Sequence, residues 1–80
     1  MAGMSPNRIR SHVVDALRAS HDFSISTQDI GTLRQRVGLK GVAKNIMFDV
    51  MRQLRNEGVV AIRLNRQTGL TRVRLRRIHR

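Results

Sequence analysis

The hydrophobic period of this chain changes at Gly58, and that change restricts the folds open to it. Before Gly58, Ala43, Ile46, Met47, Val50, Met51 and Leu54 share one face of a helix running from about Val42 to Asn56, the repeat of about 3.6 residues that an amphipathic helix requires. Asn45, Asp49, Arg52 and Asn56 fall on the opposite face, with Lys44, Phe48 and Arg55 towards one flank. Gly58 is placed to cap that helix. Beyond it, Val60, Ile62 and Leu64 point one way and Val59, Ala61 and Arg63 the other, a period of two. Asn65 to Gly69 forms a five-residue loop of hairpin size. On the return strand Val73 and Leu75 point inward, and Arg72, Arg74 and Arg76 outward. A helix leading into a two-stranded hairpin places the chain in the α+β class. With 80 residues it makes one domain, burying only about 60% of its unfolded surface around a compact core.

Upstream, Ser5 and Pro6 start a first helix that runs from about Ser5 to Ser20, Ser5 as its cap and Pro6 in its first turn. Ile9, Val13, Ala16 and Leu17 share its face. Phe23 to Ser26 alternates like a short strand. A second helix is expected from Ser26 or Thr27, with Asp29 three residues on from Ser26 approximating a capping box and Ile30, Leu33 and Val37 as its apolar face. Gly31 inside it costs about 1 kcal/mol relative to Ala, so packing must hold this helix. Gly38 and Gly41 bracket Leu39-Lys40 in a tight turn. The domain is expected over residues 5–78, with residues 1–4 a disordered leader or an expression remnant and residues 79–80 a basic tail.

Charge is distributed as unevenly as period. Residues 1–33 carry Arg8, Arg10 and Arg18 against Asp15, Asp22 and Asp29, while residues 34–80 hold the whole net charge of +11. Seven arginines and no acid follow Glu57. Such a field opposes compaction and favours a polyanion, nucleic acid first of all. Arginine makes up 14 of the 16 basic residues, and its planar fork suits bidentate phosphate contacts and narrow minor grooves.

The order helix, short strand, helix, tight turn, helix, hairpin resembles the winged helix-turn-helix superfamily over about Ser5 to Ile78. The resemblance rests on Ser26-Thr27-Gln28-Asp29-Ile30, on the turn Val37-Gly38-Leu39-Lys40-Gly41 and on Met51 to Val60, which includes Leu-x-x-x-Gly-x-x at Leu54 and Gly58. It implies three helices packed with a C-terminal two-stranded β-hairpin, the wing. It also implies a third helix that enters the major groove of double-stranded DNA, as in small regulators of transcription or replication. The wing has neither Trp nor Pro, unlike the subfamily specialised for left-handed duplexes. Under this reading Asn45 bonds adenine and Arg52 guanine in the bidentate manner. Asp49 accepts from cytosine or orients Arg52 or Asn45. Lys40 and Lys44 reach phosphates near the helix start, and Arg63, Arg66, Arg72, Arg74 and Arg76 supply phosphate or minor-groove contacts from the wing. Phe48 is expected to pack under a neighbouring loop, with a thymine methyl as the alternative. Four to six phosphate contacts give a logarithmic salt slope of about −3.6 to −5.4.

Other chemistry finds little support. Without cysteine there are no disulfides or thiolate sites, and the composition fits a reducing cytoplasm, or a nucleoid in a bacterium or archaeon. His12, His21 and His79 match no common metal-ligand spacing. The serines lack a base partner, and Gly38 to Lys44 is too short for a phosphate loop. No enzyme, cofactor or metal is expected. Nor is a signal peptide, a membrane span or a membrane-surface role. Two other ligands fit the same charge: structured RNA, as in ribosome-associated winged helices, and an acidic protein such as part of the transcription machinery. Only Phe23 and Phe48 are aromatic, which argues against stacking on single strands. Monomer and homodimer, the latter through the first helix, are both open.

Overall fold

The computed structural model describes residues 5–76. The expected leader (residues 1–4) and the end of the chain (residues 77–80), where the basic tail was placed, lie outside the described residues. Helix α1 spans Pro6–Ala19. Ser5 caps it, its hydroxyl accepting from the Arg8 N–H at 3.3 Å, and Pro6 occupies the first turn. Ile9, Val13 and Leu17 are buried at i, i+4 and i+8. A short 3-10 turn over His21–Phe23 then redirects the chain. Both Asp22 (φ 60°) and Phe23 (φ 54°) are left-handed there, a conformation that Asp tolerates and a bulky residue adopts only under constraint.

Strand β1 is Ser24–Thr27 and helix α2 is Ile30–Arg36. The expected helix start at Ser26 or Thr27 is therefore corrected: both residues belong to the strand, and Asp29 itself is the cap, accepting from the Thr32 N–H at 2.8 Å. The reason lies far along the chain. Thr27 is 3% exposed and pairs with Thr71, its hydroxyl donating to the Asp29 carbonyl at 3.0 Å. The connection to the next helix turns at Gly38 (φ 79°) and drops Leu39 into the core.

Helix α3 is Lys44–Asn56, starting two residues later than the expected Val42, with Ala43 as an N-cap that makes no side-chain bond. Met47, Val50, Met51 and Leu54 are buried. Ile46, expected on the same face, is 41% exposed. It lies on the flank of the stripe near the helix start, where it escapes cover. Phe48 is also corrected: it is 49% exposed instead of packed under a loop. The helix ends in a Schellman motif, the Val59 N–H donating to the Leu54 carbonyl and the Gly58 N–H to the Arg55 carbonyl, with Gly58 at φ 79°.

Strands β2 (Val60–Leu64) and β3 (Thr71–Leu75) form the hairpin. The sheet is not limited to these two. β1 pairs antiparallel with β3, giving a three-stranded antiparallel sheet in the order β1-β3-β2. Ile25, Val60 and Val73 face the core, and α1 lies across β1 and β3 while also contacting α3. The result is a small α+β fold, three helices on one face of one sheet.

Candidate nucleic-acid interface

Eight of the ten residues singled out from the sequence divide into two groups that face different ways, and Arg66 and Arg76 lie at the ends of the hairpin. The first belongs to α3 and the turn before it. Asn45, Asp49, Arg52 and Asn56 are all exposed, recurring so that they form a single stripe directed away from the buried Met47–Val50–Met51–Leu54 face. From Asn45 to Asn56 the stripe is about 16 Å long. It mixes donors with acceptors, and the exposed Lys40 stands on the turn beside it.

Lys44 is exposed but not unattended. Its chain lies over the first turn of α2, where a Cβ built on Gly31 would stand 3.0 Å from the Lys44 Cε and 3.1 Å from an Asp29 carboxylate oxygen. That approach accounts for a glycine inside a helix. Asp29 is held below the usual carboxylate range, first by the bond from the Thr32 N–H and further by the Lys44 charge. Arg34 is likewise committed to structure. It is half-buried and its guanidinium donates to the Val42 carbonyl, which ties α2 to the turn leading into α3. At the far end of α3, Arg10 holds Glu57 through two bonds of 2.7 and 2.5 Å. That bidentate grip is the main reason the Glu57 carboxyl lies below its ordinary value.

The second group belongs to the sheet. Because Val73 is buried and Arg72 and Arg74 are exposed, the two arginines stand on the face turned away from the helices. Register extends this into two cross-strand rows. Ser26, Arg72 and Arg63 lie abreast, as do Ser24, Arg74 and Ala61. Arg63 directly opposite Arg72 is a like-charge pair, which costs stability in a sheet unless an anion relieves it. Asp22 partly does so, accepting from Arg72 at 3.0 Å. Among the described residues Arg63 and Arg74 hold no ion pair. Ala61, Arg63, Arg72 and Arg74 line a shallow depression of about 220 Å³ on this face. A second depression of about 460 Å³ adjoins it towards the loop, with Ser26, Asn65 and Thr68 added to Arg63 and Arg72.

Arg66 and Arg76 occupy opposite ends of the hairpin. Arg66 is on the exposed loop between β2 and β3, which is braced from within. The Asn65 side-chain oxygen accepts from the Gln67 N–H at 2.9 Å and the Thr68 N–H at 3.3 Å, and the Asn65 N–H donates to the Leu70 carbonyl at 2.8 Å. Leu64, next to it, is 63% exposed, so the hairpin tip extends beyond the core. Arg76 follows β3, its N–H donating to the Val59 carbonyl at 2.9 Å.

Sequence reasoning missed Ser24 and Ser26 as sheet-face groups, although the alternation of the strand carried that information. It also missed Asp22 as the partner of Arg72, for which no local signal exists across 50 residues. No helix among the described residues is long and apolar enough to cross a membrane. The chain matches no protein-family model, no curated protein and no solved structure.

Proposed function

We propose that this chain is a double-stranded DNA-binding protein of winged helix-turn-helix architecture, serving as a small regulator of transcription or replication. The observation that carries the proposal is the outward stripe of α3. Asn45, Asp49 and Arg52 stand exposed on a helix whose opposite face buries Met47, Val50, Met51 and Leu54 in the core. They offer the donors and acceptors that major-groove base edges can match. The order of elements and the tight turn before α3 support the same architecture. Lys40, Lys44 and the loop residue Arg66 are the cations placed to serve the duplex that α3 reads. Three such phosphate contacts give a salt slope of about −2.7, shallower than the slope of about −3.6 to −5.4 for four to six contacts.

Fluorescence anisotropy with mixed-sequence duplex DNA and equal-length duplex RNA across a salt series tests this, followed by selection of a preferred DNA site. The expected result is tight, salt-sensitive DNA binding with much weaker RNA binding. Asn45→Ala and Arg52→Ala should each reduce the preference for the selected site about 10- to 100-fold, the worth of one bidentate base contact. Equal affinity for RNA would transfer the proposal to structured RNA. Lack of binding to either duplex at low salt would leave an acidic protein as the partner.

A further inference from the structure

The outer face of the sheet stands apart from the stripe on α3. It is directed away from the helix layer, and its strands contribute Arg63, Arg72 and Arg74 with Ser24, Ser26 and Ala61 between them. Every polar side chain in those two rows donates hydrogen bonds and none is an acid. The small residues leave the arginines standing around a shallow depression instead of filling it. Arginine and serine are the side chains that bond phosphate oxygens in nucleic-acid complexes. None of the three strands contains an aromatic residue, so the face offers no platform for stacked single-stranded bases. Its only side-chain acceptors are the hydroxyls of Ser24 and Ser26, so it lacks the mixed donor and acceptor pattern that α3 presents to base edges. What remains is a surface that holds a phosphodiester backbone without reading it.

We infer that this face docks the backbone of a second DNA duplex, so that one chain holds two duplex segments at once, one on α3 and one on the sheet. The inference takes its choice of polyanion from the proposed function and adds the second segment. A single short duplex cannot serve both faces. The persistence length of DNA is about 150 base pairs, and sites that proteins bend are typically about 20–30 base pairs long, so a duplex of about 12 base pairs is too short to wrap from one face to the other. Asp22 acts as the internal competitor, occupying Arg72 until a phosphate displaces it.

The test counts duplexes per chain. The intact protein is titrated with an excess of a duplex of about 12 base pairs, and complex mass is measured by sedimentation equilibrium and native mass spectrometry. Two duplexes per chain are expected, counted per chain so that a dimer holding two registers as one. The second step should have a salt slope of about −2.7 for three phosphates. Arg63→Ser combined with Arg74→Ser should reduce the count to one and leave the first affinity within about threefold. Asp22→Asn, which suits the left-handed backbone at that position, should tighten the second step about twofold to fivefold, the release of one exposed ion pair. One duplex per chain with site preference intact would overturn this inference alone, as would a double variant that still takes two. A second step unchanged or weakened by Asp22→Asn would also overturn it. Absence of any duplex binding would overturn both it and the DNA-binding reading.

Discussion

The stripe on α3 and the outer face of the sheet are both exposed and polar, yet they differ in what they can distinguish. On α3, Asn45, Asp49 and Arg52 alternate donor with acceptor, and acids stand among the cations, Asp29 beside Lys44 and Glu57 on Arg10. On the sheet, Arg63 and Arg74 hold no ion pair among the described residues, and only Asp22 offsets Arg72. Charge with few acceptors supplies affinity and little code, whereas a mixed stripe supplies a code. Net charge alone would not have separated the two.

If the two faces belong to one cooperative unit, the strongest disturbance should remove both together. Leu17 is fully buried on α1, which bridges the sheet and α3. Leu17→Ala should cost about 2–5 kcal/mol, a fall in Tm of at least about 8 °C for a domain of this size. Circular dichroism should show helix and sheet signals melting in one transition. Separate transitions would mean that the two faces do not share a core, and the comparison would break.

A smaller effect concerns how firmly Lys44 is held. In a Lys44→Ala background, Gly31→Ala should stabilise α2 by up to about 1 kcal/mol. With Lys44 present the gain should shrink or vanish, because the new methyl meets Cε at 3.0 Å. Urea unfolding of the four proteins in the cycle measures the coupling. Additive effects would show that Lys44 is not seated on α2.

The smallest effect belongs to Arg10 and Glu57, whose side chains are 26% and 48% exposed. The guanidinium lowers the Glu57 pKa, so the pair's contribution is complete above the ordinary carboxylate pKa and is lost as pH falls through the depressed value. Wild type should therefore melt above Glu57→Gln at pH 7, and the two should converge in acid. A constant difference across pH would remove Glu57 from the account of how the α3 side is neutralised.

Much of this arrangement was legible in local pattern. The Ser5-Pro6 start of α1, the buried stripe from Met47 to Leu54 and the inward-outward phase of the hairpin depend on neighbours within a few residues. What escaped depends on distant partners. Ser26 and Thr27 have the chemistry of a helix start, but pairing with β3, more than 40 residues away, takes them into a strand. Ile46 fits the apolar period of α3, yet its exposure is decided by where the cover over that helix ends. Arg34, an ordinary surface cation by sequence, is committed to a carbonyl eight residues on. The cross-strand rows came from the same source, since only the sheet register shows that Arg63 lies opposite Arg72 and that Ser24 and Ser26 stand beside the arginines.

The loop braced by Asn65 has a consequence for how such a protein changes over generations. Its bonds close within residues 65–70, and its neighbour Leu64 is largely exposed. Lengthening a surface loop costs little, about 0.6 kcal/mol for each doubling. This tip can therefore acquire insertions or new side chains while the packing beneath it stays as it is.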